Sequence, residues 1–265
     1  MSDPLPYRLA VDGAVACVTL ANPASRNALS RATIAALSDL VADLDARRAV
    51  RAVVIDHEGP AFSAGHDLKE ITAARAAPDR GRAFFVELMG ACAALMTGLR
   101  RMRAPVVAAV EGMATAAGCQ LVASCDLAVA GEQARFATPG VNIGLFCSTP
   151  MVALSRNVAP KHAMEMLLLG EPVDARRAEA FGLVNRVVPA GQATEAALAL
   201  ARAIAEKSGA TVAVGKRAFY EQAEMKLDQA YVHASRVMVE NMLARDAQEG
   251  IGAFVAKRAP VWGHE

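Results

Sequence analysis

Two short runs of small residues carry the chemistry that this sequence offers. Residues 113–120 read Met-Ala-Thr-Ala-Ala-Gly-Cys-Gln and follow an apolar run at 105–110. This pattern predicts a strand, a turn of small residues and the first turn of a buried helix. The first N–H groups of a helix have no partner within it and lie at the positive end of its dipole. A carbonyl oxygen placed at this turn would therefore be polarised, as in an oxyanion hole.

The second run, Phe-Ser-Ala-Gly-His-Asp-Leu-Lys-Glu at 62–70, follows a predicted strand at 52–56 by a short turn. Two such loops on adjacent strands would aim two backbone N–H groups at one oxygen, which is the geometry of an oxyanion hole. Simpler interpretations stay open for each part. The turn at 113–120 also suits plain packing, His66 suits a solvent-facing loop, and Asp67 suits a cap of the helix that begins at Leu68.

Short apolar runs alternate with helical patterns along most of the chain, which indicates an α/β fold with a largely parallel sheet. Ser30 is a predicted N-cap, and Gly170 and Gly182 are predicted to end later helices. From about residue 193 the pattern is almost wholly helical. We therefore predict an α/β core over 1–192 and a helical region over 193–265. The predicted strands are residues 14–20, 52–56, 106–110, 127–130 and 183–188.

The composition of the chain argues against several classes of protein. The chain has 265 residues, is 54% hydrophobic and has a formal net charge of +1, which gives no electrostatic case for a nucleic-acid or membrane partner. Its five cysteines are scattered and odd in number, and the histidines show no metal-ligand spacing. The first residues lack the pattern of a signal peptide. These features predict a cytoplasmic location and no metal.

Eight motifs, in order along essentially the whole chain, resemble the crotonase (enoyl-CoA hydratase/isomerase) superfamily. The resemblance is strongest to its branch of enoyl-CoA-hydratase-domain-containing proteins. The run Ser-Ala-Gly-His-Asp-Leu-Lys at 63–69 and the run Ala-Thr-Ala-Ala-Gly-Cys-Gln at 114–120 carry much of it. The other motifs lie at residues 22–29, 104–112, 125–126, 136–139, 178–184 and 246–250.

The resemblance implies a spiral of repeated ββα units with a helical C-terminal region that forms a homotrimer or a dimer of trimers. It implies an acyl-CoA thioester as ligand, so that coenzyme A comes with the substrate and no separate cofactor is needed. The backbone N–H groups of His66 and Ala117 match the family's oxyanion donors. Matches to the family's coenzyme A path are Ala64, Asp67, Leu68, Lys69, Gly118, the basic Arg26, and Phe254 and Lys257 near the C-terminus.

The sequence departs from that family where hydration needs two carboxylates. Gln120 stands at the position of one glutamate, and Gly140 stands at the position of the other. An amide holds water by hydrogen bonds but does not cycle a proton near neutral pH, and glycine offers only backbone. Loss of each general acid or base costs about 100- to 10,000-fold in rate. Efficient two-glutamate hydration is therefore not expected. A large recovery of crotonyl-CoA hydration on substituting glutamate at both positions would show a hydratase scaffold that lacks its catalytic pair.

Three functions stay open on these residues. The first is a lyase or isomerase of fatty acid metabolism that acts on acyl-CoA through an enolate. The second is a non-catalytic or regulatory acyl-CoA-binding protein. The third is a decarboxylase-like activity, because a methylmalonyl-CoA decarboxylase-like branch also lacks the second glutamate and needs enolate stabilisation more than a strong base. Cys147 would then be a proton donor, and the alternative is a buried, inert thiol.

Overall fold

The computed structural model describes residues 5–264. Their strands are β1 (Tyr7–Asp12), β2 (Val15–Leu20), β3 (Ala52–His57), β4 (Ala61–Ser63), β5 (Val106–Val110), β6 (Met113–Thr115), β7 (Leu127–Gly131), β8 (Arg135–Ala137), β9 (Val173–Asp174) and β10 (Arg186–Val188). Their α-helices are α1 (Arg31–Ala46), α2 (Leu68–Ala74), α3 (Arg82–Arg101), α4 (Ala117–Ser124), α5 (Pro150–Leu154), α6 (Pro160–Leu169), α7 (Ala175–Phe181), α8 (Ala193–Ala205), α9 (Gly209–Gln222), α10 (Leu227–Leu243) and α11 (Arg245–Val255).

The strands of the described chain form two sheets. The larger has the order β1-β2-β3-β5-β7-β10 and is parallel except for the antiparallel pair β1–β2. The smaller has the order β4-β6-β8-β9, with β8–β9 antiparallel. The pairs β3/β4, β5/β6 and β7/β8 each place one strand in each sheet, and a helix follows the first two directly. The chain therefore winds as a spiral of ββα units, which confirms the predicted fold.

Apolar packing on both faces of the larger sheet holds these units together. On one face, α1 and α3 pack on each other and bury Ile34, Leu44, Leu88 and Leu99 at no more than 1% exposure. On the other face, α8 presents four alanines at intervals of four residues. Small side chains at that spacing let the helix lie close to the sheet. The four alanines are Ala193, Ala197, Ala201 and Ala205.

The local predictions agree with the structure at their capping residues. The Ser30 side chain accepts a hydrogen bond from the Thr33 N–H at the start of α1, and Asp67 does the same for Lys69 at the start of α2. Gly170 and Gly182 end α6 and α7 in the left-handed conformation. Residues 113–115 form strand β6, which is not among the strands predicted individually.

The C-terminal helices divide into one that covers the sheet and three that extend beyond it. Helix α8 contributes to the core, whereas α9 and α10 contain no buried residue. Helix α9 is attached to the core by Lys216, whose Nζ lies 2.7 Å from Asp126 Oδ2. The division at residue 193 stays a prediction.

Helix α3 is the one helix in residues 5–264 that is long and apolar enough to cross a membrane by composition alone. Its buried stripe, which includes Leu88, Cys92 and Leu95, packs in the core. A core helix passes the same test, so one such helix is weak evidence for a membrane span.

Candidate functional site

The two small-residue loops meet at the ends of neighbouring parallel strands. Strand β4 leads into Ala64 and Gly65, and β6 leads into Ala116 and helix α4. A Cβ on Gly65 would lie 3.1 Å from the Ala117 nitrogen. The predicted convergence is therefore present, but the strands that deliver the loops are β4 and β6 of the smaller sheet. These three-residue strands lack the length at which a sequence pattern identifies a strand.

Glycine is required at both contact points between the loops. Gly65 has a φ of +81°, and a Cβ there would lie 2.9 Å from the Thr115 carbonyl oxygen. A Cβ on Gly118 would lie 2.3 Å from the Ser63 carbonyl oxygen. The missing side chain of Gly118 allows the close approach of α4 to β4, and its contact with a ligand stays a prediction.

The turn before α4 holds Ala116 in a strained conformation. Its φ is 51° and its ψ is −118°, a region that side-chain-bearing residues rarely occupy. The Ala116 N–H donates to the Ala137 carbonyl oxygen at 2.9 Å. Ala117 then begins the helix, and among residues 5–264 no hydrogen bond from its N–H or from the His66 N–H is found. Two unpaired amide donors thus lie on facing loops.

The His66 side chain is fixed by its neighbours. Its Nδ1 lies 3.3 Å from the Leu29 carbonyl oxygen, and Leu29 N–H donates to the Gly65 carbonyl oxygen at 2.8 Å. A carbonyl oxygen only accepts, so Nδ1 carries the proton in this contact. Burial lowers the pKa of His66, and the bond to Leu29 opposes that shift. The ring is therefore neutral near pH 7, and Nε2 is a buried acceptor without a partner in the described chain.

Gln120 occupies the first turn of α4 and is 5% exposed. Its Oε1 is buried and has no hydrogen-bond partner within residues 5–264. Gln120 also lines a cavity of about 710 Å³ between α3, α4, α5 and α9. A buried amide oxygen without a donor is costly, by about 1–3 kcal/mol, so a polar group supplied by a ligand or water is expected there.

At Gly140 there is no space for the side chain of a second glutamate. Its N–H donates to the Cys147 Sγ at 3.3 Å. A Cβ on Gly140 would lie 2.8 Å from the Leu145 carbonyl oxygen and 2.9 Å from the Cys147 sulfur. Burial raises the pKa of the Cys147 thiol, and the bond from Gly140 opposes that shift. The thiol is thus a protonated group that fills the space of the missing side chain, and its role as a proton donor stays a prediction.

The residues predicted for the coenzyme A path gather beside the 63–69 loop. The Ala64 N–H donates to the Arg26 carbonyl oxygen at 2.9 Å, which places the 22–29 loop against it. The side chains of Arg26 and Lys69 are exposed, and so is Leu68, at 52%. Asp67 caps α2 through its Oδ1, 2.8 Å from the Lys69 nitrogen. Asp67 therefore caps α2, as its simpler interpretation predicts. Arg26 and Lys69 provide two exposed cations beside the 63–69 loop.

Phe254 and Lys257 do not join this cluster within one copy of the chain. Helix α11 packs on α9 and α10, and Phe254 is 85% exposed. Lys257 follows that helix with a φ of +53° and is also exposed. A role beside the 63–69 loop would require a second copy of the chain.

Asn27 is a site residue that sequence reasoning missed. It is 3% exposed, and its Nδ2 donates to the carbonyl oxygens of Glu58 at 3.0 Å and Ala61 at 2.8 Å. Its Oδ1 accepts the Asn22 N–H at 2.9 Å. Asn27 thereby ties the 22–29 loop to the segment before β4. The left-handed φ of 52° that it adopts is one that asparagine tolerates, which is the only local signal for this role.

Comparison with known proteins assigns the family. Residues 10–265 match the enoyl-CoA hydratase/isomerase family. The chain belongs to this family. It is 47% identical over 265 residues to human enoyl-CoA hydratase domain-containing protein 3, mitochondrial, which covers 100% of this chain and 86% of that protein. The rat protein of the same name is 49% identical over 248 residues, covering 93% of this chain and 81% of its own length.

Solved structures of the enoyl-CoA hydratase/isomerase family show the same fold. A crystal structure described as an enoyl-CoA hydratase of Mycobacterium smegmatis is 48% identical, with a TM-score of 0.93 over 98% of this chain and 99% of that one. The crystal structure of human enoyl-CoA hydratase domain-containing protein 3 is 45% identical. Its TM-score is 0.89, over 97% of this chain and 100% of the human one. The predicted superfamily and fold are confirmed.

The predicted cytoplasmic location is wrong by this comparison. The human and rat relatives, and a mouse relative 47% identical over 248 residues, are all named as mitochondrial proteins. Scattered free thiols indicate that a protein resides in a reducing rather than an oxidising compartment. They do not separate one reducing compartment from another, so composition held no information on this point.

Proposed function

We propose that this family member binds acyl-CoA thioesters and polarises the thioester carbonyl with the backbone N–H groups of His66 and Ala117. The observation that carries the proposal is the pair of unpaired amides on facing loops, at the ends of β4 and β6. Donors fixed by the fold need no reorganisation when charge develops on the oxygen, which makes them effective. The strained turn at Ala116 and the close contact at Gly65 support this role, because both restrict where the Ala117 N–H points.

In the same proposal the coenzyme A moiety runs along the surface formed by Arg26, Ala64, Leu68 and Lys69. Two exposed cations beside a loop of small residues suit a ligand that carries phosphates. Phe254 and Lys257 would reach this surface from a neighbouring copy.

The geometry at Gly140 argues against two-glutamate hydration. Cys147 and the Leu145 carbonyl occupy the space of the second carboxylate, and the Gln120 amide does not exchange protons near neutral pH. We therefore propose binding and polarisation of the thioester without efficient hydration. This favours a non-catalytic binder, or an enzyme whose reaction needs enolate stabilisation alone.

The polarisation is tested by difference absorption of a conjugated dienoyl-CoA. Binding to the wild-type protein is expected to shift its absorption to longer wavelength, because hydrogen bonds to the carbonyl oxygen stabilise the charge-separated excited state. Binding with no shift would contradict the two-donor proposal, and no binding would contradict the proposal altogether.

A backbone donor is removed by proline. Ala117→Pro, made together with Ala116→Gly so that the residue before proline has no Cβ to clash, deletes one N–H at the first position of α4 and is expected to reduce the shift. Leu227→Pro is the matched control, since it changes the first residue of α10 outside the site and should leave the shift unchanged. An equal effect of both variants would contradict the role of Ala117.

We also propose that the chain assembles as a homotrimer or a dimer of trimers. Apolar side chains are exposed along the C-terminal helices, which is unusual for a surface that stays in water. The most exposed are Phe219, Leu227, Tyr231, Val232, Leu243, Phe254 and Val255. Sedimentation velocity at micromolar concentration should give a mass of three or six chains, and a monomer would contradict the assembly.

A further inference from the structure

A cavity lies beside Gln120, close to the start of α4 where the Ala117 N–H is located. Gln120 follows Ala117 by three residues of the same helix, so it lies about 4.5 Å further along the axis. The cavity of about 710 Å³ continues from Gln120 between α3, α5 and α9. Its volume lies in the range of about 300–1,000 Å³ that holds small-molecule ligands. An acyl chain whose carbonyl meets Ala117 would extend into this space.

The lining of the cavity is basic. Four arginines line it, Arg100, Arg101, Arg156 and Arg217, against two acidic residues, Glu221 and Glu224. Arg100 and Arg101 are the last two residues of α3, Arg156 is the second residue after α5, and Arg217 comes from the middle of α9. The lining therefore carries two more positive than negative charges.

Two of these arginines are already engaged and two are not. Arg156 pairs with Glu224 at 3.0 Å, and the Arg100 guanidinium lies 4.2 Å from the centre of the Tyr220 ring. Arg101 and Arg217 have no hydrogen-bond or ion-pair partner in residues 5–264. Both of these side chains are exposed, so they are solvated and free to pair with an anionic group. A simple alkyl chain would leave the buried Gln120 oxygen without a hydrogen-bond donor, which is unfavourable.

We propose that this cavity selects acyl groups that end in a carboxylate, so that the ligand is the mono-CoA thioester of a dicarboxylic acid. The inference rests on the proposed binding of acyl-CoA. Arg101 and Arg217 hold the terminal carboxylate, because a guanidinium donates two parallel hydrogen bonds to a carboxylate. The buried Gln120 oxygen lies at the side of the cavity close to Ala117. It accepts a hydrogen bond from water or from a hydroxyl group on the acyl chain.

The test compares ligands matched in chain length by isothermal titration calorimetry. Succinyl-, glutaryl- and adipyl-CoA are measured against butyryl-, pentanoyl- and hexanoyl-CoA on the full chain. At least one dicarboxylyl-CoA is expected to bind about two- to fivefold more tightly than its monocarboxylyl partner, the effect of one added ion pair with an exposed arginine. The preference should shrink as salt is raised from 50 to 500 mM, because salt screens partly exposed ion pairs.

Charge-removing variants locate the preference. Arg101→Gln and Arg217→Gln, singly and together, are expected to abolish the preference while leaving the affinity for butyryl-CoA within about twofold. Arg236→Gln is the matched control, because Arg236 is an exposed arginine of α10 outside the cavity. The salt series on the wild-type protein tests the same point if the double variant does not fold.

Each remaining result overturns a definite part of the argument. Equal affinity for both members of every pair overturns the carboxylate selectivity and leaves acyl-CoA binding intact. An equal loss for both members in the arginine variants also overturns it, since the arginines would then hold the coenzyme A phosphates. Failure of all six ligands to bind overturns the proposed function, and the inference with it.

Discussion

The Gly140 N–H donates to the Cys147 sulfur at 3.3 Å, and this contact closes the position of the second glutamate in the family's hydration chemistry. The sulfur and the Leu145 carbonyl oxygen both lie within 3 Å of where a Cβ would stand. The carbonyl belongs to the backbone and does not rotate away. A double substitution of glutamate for Gln120 and Gly140 is consequently a poor test of a latent hydratase, because its failure would report a steric clash as readily as a missing activity.

The first prediction concerns that clash. Gly140→Ala is expected to lower the free energy of unfolding by about 1–3 kcal/mol, the usual cost of forcing an atom into filled space. Urea denaturation followed by circular dichroism measures it. Gly90→Ala is the control, because Gly90 lies in α3 with nothing within 4 Å of an added Cβ. That variant should gain up to about 1 kcal/mol. Equal stability of both variants would refute the closed geometry at Gly140.

The second prediction concerns the turn before α4. Ala116 has a positive φ of 51°, so Ala116→Gly removes the steric conflict of its Cβ. The free energy of unfolding is expected to rise by up to about 1 kcal/mol. Ala123→Gly, within α4, should instead lower the free energy of unfolding by about 1–2 kcal/mol, because it loses helix propensity and a buried methyl group. A loss of stability in Ala116→Gly as large as in Ala123→Gly would show that the turn is unstrained.

The third prediction concerns the attachment of α9 to the core. Lys216 Nζ donates to Asp126 Oδ2 at 2.7 Å and to the carbonyl oxygens of Leu99 and Ala104. The Tyr220 hydroxyl donates to Asp126 Oδ1 at 2.8 Å. Lys216→Met leaves a largely buried carboxylate without its cation and is expected to cost about 3–5 kcal/mol. Tyr220→Phe removes one hydrogen bond and is expected to cost about 1–3 kcal/mol.

Thermal unfolding followed by calorimetry separates these two variants from a surface control. Lys161 is an exposed lysine of α6, and Lys161→Met should change stability by less than about 0.5 kcal/mol. A Lys216→Met protein as stable as the Lys161→Met protein would mean that Asp126 is solvated in solution and that α9 is held by apolar contacts alone.

The fourth prediction concerns pH. Burial lowers the pKa of both His57 and His66 below the ordinary value of 6.5. Each ring is neutral when folded and takes up a proton more readily when unfolded, so the unfolded state binds more protons below pH 6.5. Stability is therefore complete above that pH and falls as the pH drops through it, by at most about 1.4 kcal/mol per pH unit for each histidine.

Urea unfolding at pH 7.5, 6.5 and 5.5 measures this slope, and His66→Asn should reduce it. His162→Asn, which replaces an exposed histidine, is the control for introducing asparagine at a histidine position. The ion pair of Glu249 does not interfere, because its hydrogen bonds to Arg258 and Val261 lower the pKa of Glu249 to about 2. A stability that is flat from pH 7.5 to 5.5 would contradict the buried, neutral state of both rings.

Local chemistry made much of this fold predictable from sequence. Ser30 and Asp67 cap helices because their side chains accept N–H groups two or three residues ahead, and Gly170 ends α6 because glycine adopts a left-handed conformation at low cost. The two small-residue loops were visible for the same reason. The missing carboxylates at Gln120 and Gly140 were also visible, since residue identity alone decides whether a side chain exchanges protons.

Tertiary structure decided what depends on contacts between distant parts of the chain. The three-residue strands β4 and β6 exist because they pair with each other, not because of a pattern of their own. Cys147 fills the space beside Gly140 only once the chain folds back over seven residues. The arginines around the Gln120 cavity come from α3, from the turn after α5 and from α9, which are distant in sequence. Sequence shows which groups are available, whereas burial and distance determine which of them meet, and both are properties of the folded chain.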